Sequence, residues 1–361
     1  MRKLLGLTIG CFLTILFLCG FTSGENEFEI GKYNVDYSSK EWKEMSFQEQ
    51  IDSVSLPVDY IEGLSTEDVV TWALEYPFLC DIYLFDSSVS ALDYFKRTSY
   101  LFENMFSRDD IREVLIERLE NLYIKEDSVL SKKELFIIYY LANIKDDLSD
   151  DEITKLFDIL NDEDFNRFFG KIIIEYAQPE DSPEDIDITR YEGFISSNQV
   201  FQYSVNGGYY IAGTYWKYGV GATCYQFSSN DYSYNDVQSM NNEIYGAHPS
   251  WYFYSDATKK YNCHSYVWID SSFSNTYWLL SPYNYIATSL FNHVGTGCGA
   301  SAGDRITISN NGDIKHSLLV TGSGANSSSI YTKSKLGSCG VYGAPLNDMM
   351  ILYGNTYDVY N

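Results

Sequence analysis

Residues 178–190 read QPEDSPEDIDITR. Two prolines inside an acidic run neither continue a helix nor join a sheet interior. Proline lacks the backbone donor, and the carboxylates repel one another. The stretch reads as a linker, and the chain changes character across it.

Before it, residues 41–177 follow a helical pattern. Apolar residues recur at spacings of three and four, at Val69, Trp72, Ala73 and Tyr76 and again at Ile111, Val114, Leu115 and Leu119. Helix starts are marked at Ser65-Thr66-Glu67-Asp68, Ser107-Arg108-Asp109-Asp110, Ser131-Lys132-Lys133-Glu134 and Ser149-Asp150-Asp151-Glu152. This predicts an all-α helical domain, a bundle or short helical array without a clean repeat period. The acidic stretch Asp146–Glu152 has neither the spacing nor the glycine of a calcium loop and reads as a solvated helix cap. Residues 25–40 form a polar leader ahead of the helices.

After the linker, 191–361, charge falls and tyrosine, serine, asparagine and glycine rise. Of the 33 tyrosines, 22 lie here. VFQYSV, GYYIAGTYW, DRITIS, HSLLVTG and SIYTK carry β-branched or aromatic residues between Gly and Asn turns. Asn235–Tyr245 and the stretch after Cys263 look helical. The expectation is an α+β region with a small antiparallel sheet.

Charge divides the same way. Residues 25–190 hold 40 acidic and 16 basic residues, and 191–361 hold 10 and 7. Neither half offers the basic face that nucleic acid requires. The chain begins MRKLLGLTIGCFLTILFLCGFTSG, with a basic start, an apolar core and small residues at the end of 1–24, the pattern of a cleaved signal peptide. A lipoprotein fits less well, because Leu18 precedes Cys19 where a small residue is usual. No second long apolar run follows, so stable membrane insertion after cleavage is not expected. The expected location is secreted, periplasmic or at the cell surface.

Five cysteines follow the leader: Cys80, Cys224, Cys263, Cys298 and Cys339. Export permits disulfides, and an odd number leaves at least one thiol unpaired. There is no CxxC and no zinc spacing, so no metal or cofactor is expected. Cys298 and Cys339 sit in Gly-rich turns that suit a surface disulfide, and Cys224 could join either. Cys263, in Tyr261-Asn262-Cys263-His264-Ser265-Tyr266, is open to three readings: nucleophile, disulfide half or inert buried thiol. A nucleophile needs a helix N-terminus and an imidazole. His264 is adjacent in sequence and diverges by about 100° on a helix. His316, opening the strand HSLLVTG after Gly303-Asp304, is the alternative base; read alone it is an ordinary strand-end histidine.

The set Asn262-Cys263-His264-Ser265-Tyr266, Gly303-Asp304 and His316-Ser317 resembles the NlpC-type papain-like peptidases of bacterial cell walls, in a divergent secreted branch with an NCHSYAW segment. Ser334-Lys335-Leu336-Gly337 and Gly340-Val341-Tyr342 resemble the same branch. The likeness runs from about Asp236 to the C-terminus. It implies a papain-like domain in which Cys263 is the nucleophile and His316 its base. If HSLLVTG and SSIYTKSK form a hairpin across Gly322–Ser327, the residue beside His316 falls within Tyr331–Ser334, and Ser334 is the candidate third member. Two positions depart from the pattern: Val267 replaces an alanine, and Ala344 stands where the branch carries a histidine.

The resemblance implies a secreted thiol hydrolase that cleaves amide bonds in peptidoglycan or another peptide. Tyr209, Tyr210, Tyr215, Tyr218, Tyr252 and Tyr254 are candidates to line a substrate groove or simply to pack sheet faces. The rival expectation is a catalytically inactive binding or scaffolding module on the same fold. The helical domain is a candidate docking site for a protein partner.

Overall fold

A computed structural model describes residues 29–123, 130–169, 192–202, 208–217, 219–288 and 290–361. The leader 1–24, the linker 178–190 and Tyr218 lie outside the described residues. Among the described residues no helix is long and apolar enough to cross a membrane.

The N-terminal region is helical: Lys40–Glu44 (α1), Phe47–Ser53 (α2), Val58–Glu62 (α3), Thr66–Leu74 (α4), Ser88–Thr98 (α5), Tyr100–Phe106 (α6), Ile111–Leu122 (α7), Lys132–Asn143 (α8), Asp150–Ile159 (α9) and Asp162–Phe168 (α10). A 3-10 segment, Leu79–Leu84, joins α4 to α5. Ser131 and Ser149 close full capping boxes with Glu134 and Glu152, and Ser65 accepts the Asp68 N–H, as the sequence expects. The start expected at Ser107 falls later. Ser107 closes α6, and α7 follows Asp110, whose carboxylate accepts the Thr66 hydroxyl at 2.6 Å instead of capping its own helix. The described part of the polar leader, from residue 29, is docked: Tyr33 donates to the Trp72 carbonyl at 3.2 Å, and the two rings meet edge-on at 4.8 Å.

The C-terminal region holds two antiparallel sheets where the sequence suggests one. Glu192–Gln202 (β1), Tyr209–Lys217 (β2), Val220–Phe227 (β3) and Tyr277–Leu279 (β5) form a four-stranded sheet in the order β1-β2-β3-β5. Tyr252–Ser255 (β4), His293–Thr296 (β6), Arg305–Asn310 (β7), Asp313–Gly322 (β8), Tyr331–Lys335 (β9), Val341–Pro345 (β10) and Thr356–Tyr360 (β11) form a seven-stranded sheet in the order β4-β10-β9-β8-β7-β11-β6. Of the strands the sequence reading did not name, β4, β5 and β6 are three or four residues long, too short for alternation to register, whereas β3, β10 and β11 are five to eight residues long. Helices Tyr234–Ala247 (α11), Cys263–Trp268 (α12), Tyr283–Ala287 (α13) and Leu346–Tyr353 (α14) complete the region. The β7–β8 turn uses Asn311 and Gly312, both at positive φ (53° and 88°), the conformation a tight two-residue hairpin demands.

Strand alternation gives the seven-stranded sheet two different faces. On one, Leu319, Val341 and Tyr360 pack with Tyr266, Val267 and Trp268 of α12 and with Cys224 and Leu279 of the smaller sheet. On the other, Ile306, Ile308, Leu318, Val320, Tyr342 and Val359 join α14 and the N-terminal helices in one continuous core. The helical region and the larger sheet therefore share a hydrophobic interior.

Polar contacts fasten that interior. His248, at the end of α11, meets Asp81 of the 3-10 segment through Nε2 at 2.6 Å, and the second Asp81 oxygen accepts the Tyr94 hydroxyl at 2.6 Å. The imidazole stacks on Trp251 at 3.8 Å, and the Trp251 indole donates to Asp348 of α14 at 2.9 Å. All of these groups are buried. Removing one partner from such a cluster strands the other without water. His248→Ala is expected to lower the free energy of urea unfolding by about 3–5 kcal/mol; a loss below about 1 kcal/mol would show that the cluster does not fasten the two regions.

Candidate functional site

The helix α12 begins at Cys263 because Asn262 caps it. The Ser265 N–H donates to Asn262 Oδ1 at 3.0 Å, and the Asn262 N–H donates to Ser265 Oγ at 3.3 Å. The same asparagine donates to the Leu279 carbonyl at 2.8 Å, which pins the helix start to β5. All six residues of α12 are buried. His264 Nδ1 and the Trp268 indole both meet Ser317 Oγ at 2.8 Å. Burial holds the His264 imidazole down to about 4, so it is neutral at ordinary pH. His264 thus has a structural partner on β8.

His316 and Ser334 are brought together, with Nε2 and Oγ 2.8 Å apart across β8 and β9. Ser334 Oγ also donates to the Ser317 carbonyl at 2.7 Å. The His316 ring lies parallel to Tyr353 of α14, 3.8 Å away with planes 2° apart. Burial, followed by the His264 and Lys335 charges, pushes its pKa well below the usual histidine value. Ser317 turns its hydroxyl toward α12, and alternation turns His316 toward α14. No hydrogen bond joins Cys263 to His316 among the described residues.

The side-chain partner of Cys263 is instead Asp86, with Sγ 3.8 Å from Oδ2. The thiol is 0% exposed. Burial, and next the Asp86 charge, raise its pKa well above the ordinary thiol value. The Ser317 and His264 N–H groups and the Lys335 ammonium oppose that shift without cancelling it. Burial also lifts the Asp86 carboxyl to about 6 and lowers the buried Lys335 ammonium to about 8, and each charge partly offsets the shift of the other. All five cysteines after the leader are free, so the disulfide suggested for Cys298 and Cys339 is not formed, and Cys339 is buried.

Asp86 arrives on a strap from the helical region. Tyr83 accepts the Ser338 N–H at 2.8 Å, and Leu84 accepts the Tyr353 hydroxyl at 2.6 Å. The Phe85 ring lies 5.2 Å from that of Tyr353. Gly337, at φ 41°, lets the strap approach, since a Cβ there would lie 2.4 Å from the Tyr83 oxygen. Ala344 is buried on β10, and its carbonyl accepts the Thr332 hydroxyl at 3.1 Å. Asp86 and Tyr353 were missed by the sequence reading, and Ser317 and Lys335 entered it only as members of resembling motifs, with no role of their own. The sequence separation of 177 positions between Asp86 and Cys263 explains why no local pattern joins them.

No known family model matches this chain, and no curated protein or solved structure does either. Among the described residues no group of three His, Cys, Asp or Glu side chains could hold a metal ion.

Because the Asp86 charge is a cause of the raised thiol pKa, Asp86→Asn is expected to move Cys263 ionisation to lower pH. The readout is the thiolate absorbance that Cys263→Ser removes, followed against pH in each background. An unchanged midpoint would show that burial alone sets it.

Proposed function

We propose that the chain is an exported bacterial module built on a papain-like, NlpC-type plan whose site no longer hydrolyses, and that it serves as a binding or scaffolding protein at the cell surface. The observation that carries this reading is the sealing of Cys263 beneath the strap. A thiol nucleophile needs access, thiolate character and an imidazole within hydrogen-bond reach. Here the thiol is buried, pushed toward its protonated form and bonded to a carboxylate. The strap is held by Leu79, Ile82, Leu84 and Phe85, each at most 1% exposed. Exposing four such side chains costs on the order of 6–12 kcal/mol, which is comparable to the whole stability of a domain, about 5–15 kcal/mol. The buried Ala344, where the resembling branch carries a histidine, fits the same reading.

The second reading is a thiol hydrolase acting on amide bonds of peptidoglycan peptides. Cys263 at the first turn of α12 and the His316–Ser334 pair on neighbouring strands favour it. In that reaction the Cys263 thiolate attacks the carbonyl, His316 passes its proton to the leaving amine, and water clears the thioester.

Alkylation separates the two. Iodoacetamide at neutral pH is expected to leave Cys263 unmodified in the folded protein and to label it in urea. Rapid labelling of the native protein that slows in His316→Ala would restore the hydrolase, as would new amines released from purified cell wall.

A further inference from the structure

We infer that the outer edge of β4 is a docking strand for an extended polypeptide segment that carries a carboxylate. Among the described residues β4 ends the larger sheet and pairs only with β10, so its other edge offers backbone donors and acceptors to a further strand. Its sequence, Tyr252-Phe253-Tyr254-Ser255, has none of the charges or prolines that usually guard an edge. Phe253 turns toward Tyr342, with ring centroids 5.6 Å apart. Tyr252 and Tyr254 turn to the other face, 4.6 Å apart, and stay 60% and 36% exposed. Large aromatic groups left in water along an open strand mark an interaction surface.

The charge of the partner follows from Lys333. This side chain comes from β9, opposite Gly343 of β10. Gly343 has no side chain to separate Lys333 from the edge, and the Tyr254 ring covers it; a Cβ there would lie 2.8 Å from Tyr254 Cε2. The Lys333 ammonium stands over Tyr254 at 5.6 Å and Tyr266 at 6.0 Å. Among the described residues no carboxylate pairs with it, although the chain carries a net charge of −25. An unpaired cation leaning over an open aromatic edge suits a strand whose side chains on that face include Asp or Glu. Strand addition supplies main-chain hydrogen bonds, the Tyr252–Tyr254 face takes alternate side chains, and Lys333 selects the acid. The inference deepens the binding reading by naming what is bound, and it fails separately: fast alkylation of Cys263 would overturn the non-hydrolytic site and leave this edge as it is.

The test is fluorescence anisotropy of the full chain with labelled acetyl-Thr-Val-Thr-Glu-Thr-Val-Thr-amide. Saturable binding is expected, at least tenfold weaker when Glu is replaced by Lys, and abolished when alternate peptide nitrogens on one edge are methylated. Lys333→Glu, checked as folded by circular dichroism, is expected to reverse the order of the Glu and Lys peptides. Absence of binding, equal binding of the two peptides, indifference to methylation, or displacement by a carboxylated oligosaccharide in place of peptide would each overturn the inference.

Discussion

Tyr83 and Leu84 give their backbone carbonyls to Ser338 and Tyr353, and Asp86 accepts the Cys263 thiol, so one short strap ties three elements of the C-terminal region to the helices. The strap cannot be lifted alone, because its apolar residues belong to the core shared with Ile306, Ile308, Leu318 and Val320. The chemical state of the site follows from this packing. Water is excluded, so the thiol and imidazole are held neutral, and the charged groups that remain, Asp86 and Lys335, must offset each other.

That pair makes stability depend on pH in a definite direction. Asp86 has a raised pKa, so the folded state prefers its protonated form and loses stability as pH climbs from the unfolded value through about 6. Lys335 has a lowered pKa, so the folded state prefers its neutral form and loses stability as pH falls from the unfolded value through about 8. Between those limits both are charged, and their attraction repays part of the burial cost. His264 and His316, both lowered by burial, penalise acid further, because the unfolded chain takes up protons that the buried imidazoles resist.

The legible parts of this chain were those with short-range causes. Capping serines at positions 65, 131 and 149 announce their helices because the cap is made within three residues. The helix start at Cys263 and the His316–Ser334 neighbourhood came from a resemblance combined with a hairpin; the β8–β9 pairing runs Leu319 opposite Lys333 and Val320 opposite Thr332, so Ser334 reaches His316 on the diagonal and not from the directly opposite position. Ser107 misled because Asp110 spends its carboxylate on Thr66, a tertiary contact. The division into two sheets was hidden because alternation marks a strand but not its partner, and the pairing of β3 with β5 joins segments some fifty residues apart. The strap was hidden for a different reason: FLCDIYLFD reads as apolar core, and nothing within it signals that its final carboxylate meets a thiol far along the chain.

The central claim is that the site is closed by the shared core and opens only when the whole fold does. Native-state hydrogen exchange at the Ser338 amide, which donates to Tyr83, tests it most directly. If the strap is part of the core, that amide exchanges with the free energy and urea dependence of global unfolding. Exchange through a smaller opening that is insensitive to urea would reveal a strap that lifts by itself, and would contradict the account.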